Sequence, residues 1–158
     1  MNKDILHELF EYRDGNLIRK TNSTYNAKIG DIAGSIGNHG YKQVRINGKD
    51  YLIHRLIFMY FNGKFPKYVD HIDNDRLNNR IENLRECSNQ QNSFNSKIGK
   101  NNTSGIKGVS WSKNRNKWEA KIQVNRKTIH LGRFSDINEA TKAVNYYRQH
   151  YHGEFARH

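Results

Sequence analysis

The 158-residue chain has a single cysteine, Cys87, and a single proline, Pro66. One cysteine excludes an intrachain disulfide and a zinc site built from several thiolates, and it suits a reduced intracellular setting. Long apolar runs are missing too. No stretch approaches the roughly 20 residues needed to cross a bilayer, and the opening segment MNKDILHELFEYRDG lacks the apolar centre of a secretory signal. The expectation is a soluble, cytoplasmic protein with no membrane partner. Negative charge is also scarce, with 15 Asp+Glu against 27 Lys+Arg and a net charge of +12, which points to a polyanionic partner.

The charge is unevenly spread. Residues 1–95 hold 14 Lys+Arg against 11 Asp+Glu, whereas residues 96–158 hold 13 against 4. Most of the excess therefore belongs to the last third of the chain, as in a dedicated binding module. Residues 96–104, SKIGKNNTS, have no aromatic side chain and one apolar residue, a composition suited to a connection between domains. The expected division is a domain over 1–96, a linker over 97–102 and a second domain over 103–158.

Within the first domain, residues 1–20 suggest a helix and then a hairpin turning at Asp14-Gly15. In GYKQVRINGKDYLIHRL, Val44 and Ile46 before Asn47-Gly48, and Tyr51 and Ile53 after it, keep a period of two, a strong hairpin pattern. HRLIFMYFNG then predicts a short buried helix closed by Gly63, with Pro66 preventing extension. Ser88 is placed to cap a helix running through Asn95. In the second domain, Trp118, Ala120, Ile122 and Val124 alternate with Glu119, Lys121, Gln123 and Asn125, as in a half-buried strand. Ile129 and Leu131 continue the apolar face after a turn near Arg126-Lys127. A final helix opens at Asp136, with Glu139 in capping-box spacing. Its apolar stripe is Ala140, Val144, Tyr147 and Tyr151, and Gly153 ends it. Trp111 and Trp118 fall with the apolar alternation and are expected in the core.

The chemistry centres on Asp70-His71, Asn83 and Asn92. Neighbouring residues at a strand end point to opposite faces, so a carboxylate and an imidazole can take separate roles. The carboxylate is a hard oxygen ligand suited to Mg²⁺. A neutral imidazole can take a proton from water. Asn92, on a following helix, offers a second oxygen. A base and a cation are most of what phosphodiester hydrolysis requires. The same aspartates and asparagines also suit turns, and His54 suits packing as well as phosphate contact, so His54 and Arg55 stay outside the catalytic set.

VDHID, NNRIENL and SNQQN together resemble the ββα-metal motif of HNH endonucleases, and in particular the phage-encoded homing endonucleases in which asparagine replaces the last histidine. The intervals of 12 from His71 to Asn83 and 9 from Asn83 to Asn92 suit that branch. The resemblance implies Asp70 and Asn92 as metal ligands, His71 as general base, and Asn83 as a brace holding the loop in register. The implied cofactor is Mg²⁺ or Mn²⁺, with no zinc.

The segments SGIKGVSW, KWEAKIQVN, IHLGRF, EA and HGEF resemble the DNA-binding domain of APETALA2-type transcription factors, whose sheet lies in the major groove. That implies DNA contacts from Lys113, Arg115, Lys117, Lys121, Gln123, Arg126, Lys127 and His130. The expected fold is α+β, a ββα-metal nuclease core followed by a three-stranded antiparallel sheet packed on one helix. The expected function is metal-dependent cleavage of double-stranded DNA by a site-preferring nuclease, phage-encoded or bacterial, acting as a nicking monomer or as a homodimer. A non-catalytic DNA-binding regulator and a restriction or DNA-degrading nuclease are the alternatives.

Overall fold

The computed structural model describes all residues except 23–26, 95–97, 99–100, 126 and 156–158. The chain has an α+β fold and divides into two compact units, Met1–Asn89 and Gln90–His158. That division falls ahead of the linker expected at 97–102, of which residues 97, 99 and 100 lie outside the described set. Asn102, inside that segment, donates to the carbonyls of Ile106 and Val109. No helix among the described residues is long and apolar enough to cross a membrane.

The first unit starts with α1 (Lys3–Leu9), whose N-cap Asn2 accepts from the Ile5 N–H. It continues into a hairpin of β1 (Phe10–Arg13) and β2 (Asn16–Arg19). Asp14 and Gly15 both take positive φ at its tip, the backbone a two-residue hairpin turn demands. A three-stranded sheet follows: β3 (Ser35–Ile36), β4 (Lys42–Ile46) and β5 (Lys49–Leu52). Asn47 and Gly48 again have positive φ, with Ile46 opposite Lys49. The expected strand alternation stops one residue early. Ile53 opens α2 (Ile53–Asn62), because it begins the buried line that Leu56, Ile57 and Met59 carry on. Gly63, with φ of 72°, closes that helix by donating to the Met59 carbonyl.

Leu6, Phe10, Leu17, Val44, Ile53, Leu56 and Ile57 belong to one buried cluster, which also takes in Val69 and Leu84. Those last two lie on the short antiparallel pair β6 (Val69–His71) and β7 (Leu84–Glu86). This ties the strands of the candidate site into the core. α3 (Asn89–Phe94) comes next in the chain; Asn95, the expected end of that helix, lies outside the described residues.

In the second unit, β8 (Val109–Ser112), β9 (Lys117–Val124) and β10 (Lys127–Phe134) form an antiparallel sheet with β9 in the middle. Val109, Ala120 and Ile122 pack with Ala140 and Val144 of α4 (Ile137–His152). Asp136 caps α4 by accepting from the Asn138 N–H, and Gly153 is its C-cap. The expected stripe holds only at its start. Tyr147 and Tyr151 are exposed, while Arg148 is 4% exposed, because the buried line runs by fours through 140, 144 and 148. Trp111 also departs from expectation: it is 42% exposed, packed edge-on to Trp118 at 5.0 Å.

Candidate active site and nucleic-acid interface

Pairing of β6 with β7 sets Asp70 opposite Arg85 and His71 opposite Leu84. Nε and Nη2 of Arg85 both donate to Asp70 Oδ2, at 3.0 and 2.8 Å. The carboxylate is 6% exposed and the guanidinium 16%. Removing one member of such a buried pair typically costs about 3–5 kcal/mol, because the other charge is left without compensation. The Asp70 charge also raises the proton affinity of the neighbouring Cys87 thiol, which burial in the first place pushes up to about 11, so Cys87 is a buried, unreactive group.

His71 is 4% exposed. Its Nε2 lies 2.9 Å from Asn79 Oδ1. A carbonyl oxygen accepts and cannot donate, so Nε2 carries the ring proton and Nδ1 is the basic nitrogen. The ring stands edge-on to His54 at 4.9 Å and tilted against Tyr41 at 6.0 Å. His54 is itself buried in α2, and its Nδ1 has no hydrogen-bond partner among the described residues. Burial first, then the nearby His71 and Arg55, lowers its pKa to about 3. His54 is thus a neutral, packed ring against His71.

Asn79 is 2% exposed, although it belongs to a loop that is otherwise exposed or half-buried. Two contacts from the N-terminal hairpin put it there. The Tyr12 hydroxyl accepts from the Ile81 N–H at 3.1 Å. Gly15 comes so close that a Cβ in its place would sit 2.9 Å from Arg80 N and 3.0 Å from the Asn79 carbonyl carbon. Only glycine combines that approach with a φ of 78°. The amide Nδ2 of Asn79 is buried with no partner among the described residues, which costs about 1–3 kcal/mol. Its carbonyl oxygen, by contrast, is engaged by His71.

Asn83 closes the loop between the two strands. Its Oδ1 accepts from the Asp73 N–H at 3.0 Å, and its Nδ2 donates to Asp73 Oδ1 and to the Asn78 carbonyl. Its own carbonyl accepts from the Ile72 N–H, directly after His71. Burial alone would raise the Asp73 pKa, but hydrogen bonds from Asn78, the Asp75 N–H and Asn83 outweigh it, and the net shift is downward. Asp70, His71 and Asn83 are therefore brought together on one short β-pair and its loop. Asn92 lies on α3, in the Gln90–His158 unit, with an exposed side chain. Arg85 and Asn79 were not singled out as site residues by sequence. Cross-strand register was the only signal for Arg85, and an asparagine-rich loop offers none for Asn79.

In the second unit, Lys121 pairs with His130 and Gln123 with Thr128 across β9 and β10. Lys117, Lys121, Gln123 and His130 are exposed, on the sheet face opposite the buried Ala120 and Ile122. Lys113 and Arg115 are exposed in the β8–β9 connection, and Lys127 is exposed at the start of β10. Arg126 lies outside the described residues. Arg133, absent from the sequence set, shares this face and holds Glu119 at 3.0 Å. That hydrogen bond is the main cause lowering the Glu119 pKa.

A family profile described as HNH endonuclease matches residues 51–94, which span α2, the β6–β7 pair and α3. The chain is 43% identical over 98 residues to Protein 3.8 of Escherichia phage T7, covering 61% of this chain and 80% of that protein. It is 36% identical over 124 residues to an uncharacterized HNH endonuclease of Acanthamoeba polyphaga mimivirus, covering 77% of this chain and 63% of the relative. A match of 38% over 63 residues, 38% of this chain and 36% of the relative, links it to an SPbeta prophage-derived protein of Bacillus subtilis whose name places it with the HNH homing endonucleases. The chain thus spans less than two thirds of the latter two relatives. No solved structure matches this one.

Proposed function

The chain belongs to the HNH endonuclease family and is a DNA endonuclease; from that premise we propose that it hydrolyses DNA phosphodiester bonds with His71 as general base, leaving a 5′ phosphate and a 3′ hydroxyl. The observation that carries this is the buried His71 with Nε2 fixed on Asn79. A base whose second nitrogen is pinned keeps its lone pair in one direction, which is the requirement for taking a proton from a positioned water. Nδ1 accepts that proton as the water oxygen attacks phosphorus. Asn83 is a positioning residue: it keeps the loop after His71 in one conformation.

The donor set fits Mg²⁺ or Mn²⁺. Asp70 would supply a carboxylate oxygen beside the Arg85 guanidinium that already pairs with it, and Asn92 would add a neutral oxygen. A bound divalent ion supplies stabilisation of the charge that builds on the phosphate oxygens and on the leaving 3′ oxygen. The exposed face of the C-terminal sheet, with its resemblance to APETALA2-type domains, serves as the DNA grip and gives the site preference of a homing-type nuclease. Lys113, Arg115, Lys117, Lys121, Gln123, Arg126, Lys127 and His130 are its contact set.

Incubation of supercoiled plasmid with the full chain, with and without Mg²⁺, tests the chemistry. The expected result is metal-dependent nicking or linearisation, lowered by about 10²–10⁴ in His71→Ala while DNA binding is retained. Equal cutting by both proteins would remove His71 from the reaction. A mixed-sequence substrate cut everywhere, instead of at one tolerant site, would replace the homing role with that of a degrading nuclease.

A further inference from the structure

The arginines of the first unit are held in different ways. Arg13, Arg45 and Arg85 each pair with a carboxylate. Arg76, in the loop after His71, is fixed without one. Its Nη1 donates to the His39 carbonyl at 2.9 Å, and its guanidinium carbon lies 4.8 Å from the centre of the Tyr41 ring. Gly40, between those two residues, turns with a φ of 74°, and a Cβ there would stand 3.8 Å from Nη1, in ordinary contact. The guanidinium is therefore laid across the β3–β4 turn, although the residue is exposed.

Two aspartates near it in sequence form no ion pair with it. The Asp73 carboxylate takes N–H groups from Asp75, Asn78 and Asn83, and Asp75 takes that of Leu77. Among the described residues no carboxylate pairs with Arg76. The ring beneath it, Tyr41, also packs against His54 at 5.1 Å and His71 at 6.0 Å. A fixed, exposed cation with no ion pair among the described residues thus stands one aromatic ring away from the imidazole.

We infer that Arg76 binds a backbone phosphate of the DNA strand being cut, beside the bond on which His71 acts. The inference rests on the role proposed above for His71. A guanidinium has five N–H donors, and one is spent on His39, so the others can meet two oxygens of a single phosphate. Because the side chain is already held by a carbonyl and a ring face, little rotamer freedom is lost on binding. Arg76 fixes where the strand lies relative to Nδ1 of His71, a substrate-positioning role.

Equilibrium binding of a short DNA duplex to the full chain, without Mg²⁺ and across a salt series, is the decisive experiment. In Arg76→Gln the salt slope should fall in magnitude by about 0.9, the loss of one phosphate contact. Arg45→Gln, which removes an arginine already paired with Asp50, should leave the slope unchanged. In a parallel cleavage assay with Mg²⁺, Arg76→Gln should lose about tenfold or more in kcat/KM, the cost expected for one positioning contact, and Arg76→Lys should recover binding better than rate. A wild-type slope in Arg76→Gln overturns the inference, as does an equal drop in Arg45→Gln, which would reflect net charge alone. The binding experiment decides the role of Arg76 even if His71→Ala cuts like wild type, a result that would remove His71 instead.

Discussion

The first unit buries His54, Asp70, His71 and Asn79 within a few ångströms of one another or of a fixed partner, whereas among the described residues of the second unit only Arg148 is a buried ionisable group. The second unit instead keeps Lys117, Lys121, Gln123 and His130 in solvent on one sheet face. Burial makes each hydrogen bond directional and costly to leave unmade, which suits a group that must present one nitrogen in one direction. Exposed cations are individually weak and mobile, but they release counterions from DNA additively. On the proposed function, presentation of the base belongs to the first unit and the larger share of the DNA contacts to the second, each made from the kind of polar group it needs.

Acid should separate the units most clearly. The His54 pKa is depressed in the folded state to about 3, below its unfolded value. Its contribution to stability is therefore complete above the unfolded value near 6.5 and is lost as pH falls toward 3. The first unit should lose up to about 1.4 kcal/mol per pH unit across that window. Denaturant melts at a series of pH values should show the loss in wild type and a flatter profile in His54→Phe. A wild-type pH dependence in that variant would mean that other groups set the acid limit.

A smaller effect is expected in the second unit. Lys121→Ala should weaken duplex binding and reduce the salt slope by about 0.9, while the melt of the protein stays within about 0.5 kcal/mol of wild type, as for an exposed side chain. If the slope does not move, the sheet face around Lys121 is not where the phosphates lie.

The sequence carried local geometry well. The turns at Asp14-Gly15 and Asn47-Gly48 require positive φ, and the structure has it at all four residues. The alternation from Trp118 to Val124 appears directly as one buried and one exposed face of β9. What local patterns could not carry were choices made by distant parts of the chain. Whether the helix line through Val144 continues to Tyr147 or Arg148 depends on the sheet it packs against. Nothing near Asn79 distinguishes it from Asn74 or Asn78; Tyr12 and Gly15, far upstream, turn it inward. Asp70 and His71 were legible as a pair of chemically useful neighbours, but the Arg85 guanidinium on Asp70 follows from a strand register that six residues of β-structure define.

The most direct test of the central claim, that Asn79 acts through His71, is a double-variant cycle of plasmid cleavage rates in Mg²⁺ for Asn79→Ala, His71→Ala and the two combined. If the Asn79 carbonyl serves only to present Nδ1 of His71, each single variant slows the reaction and the double variant is no slower than His71→Ala alone. Losses that multiply would show that Asn79 contributes independently of the imidazole, and would contradict the account.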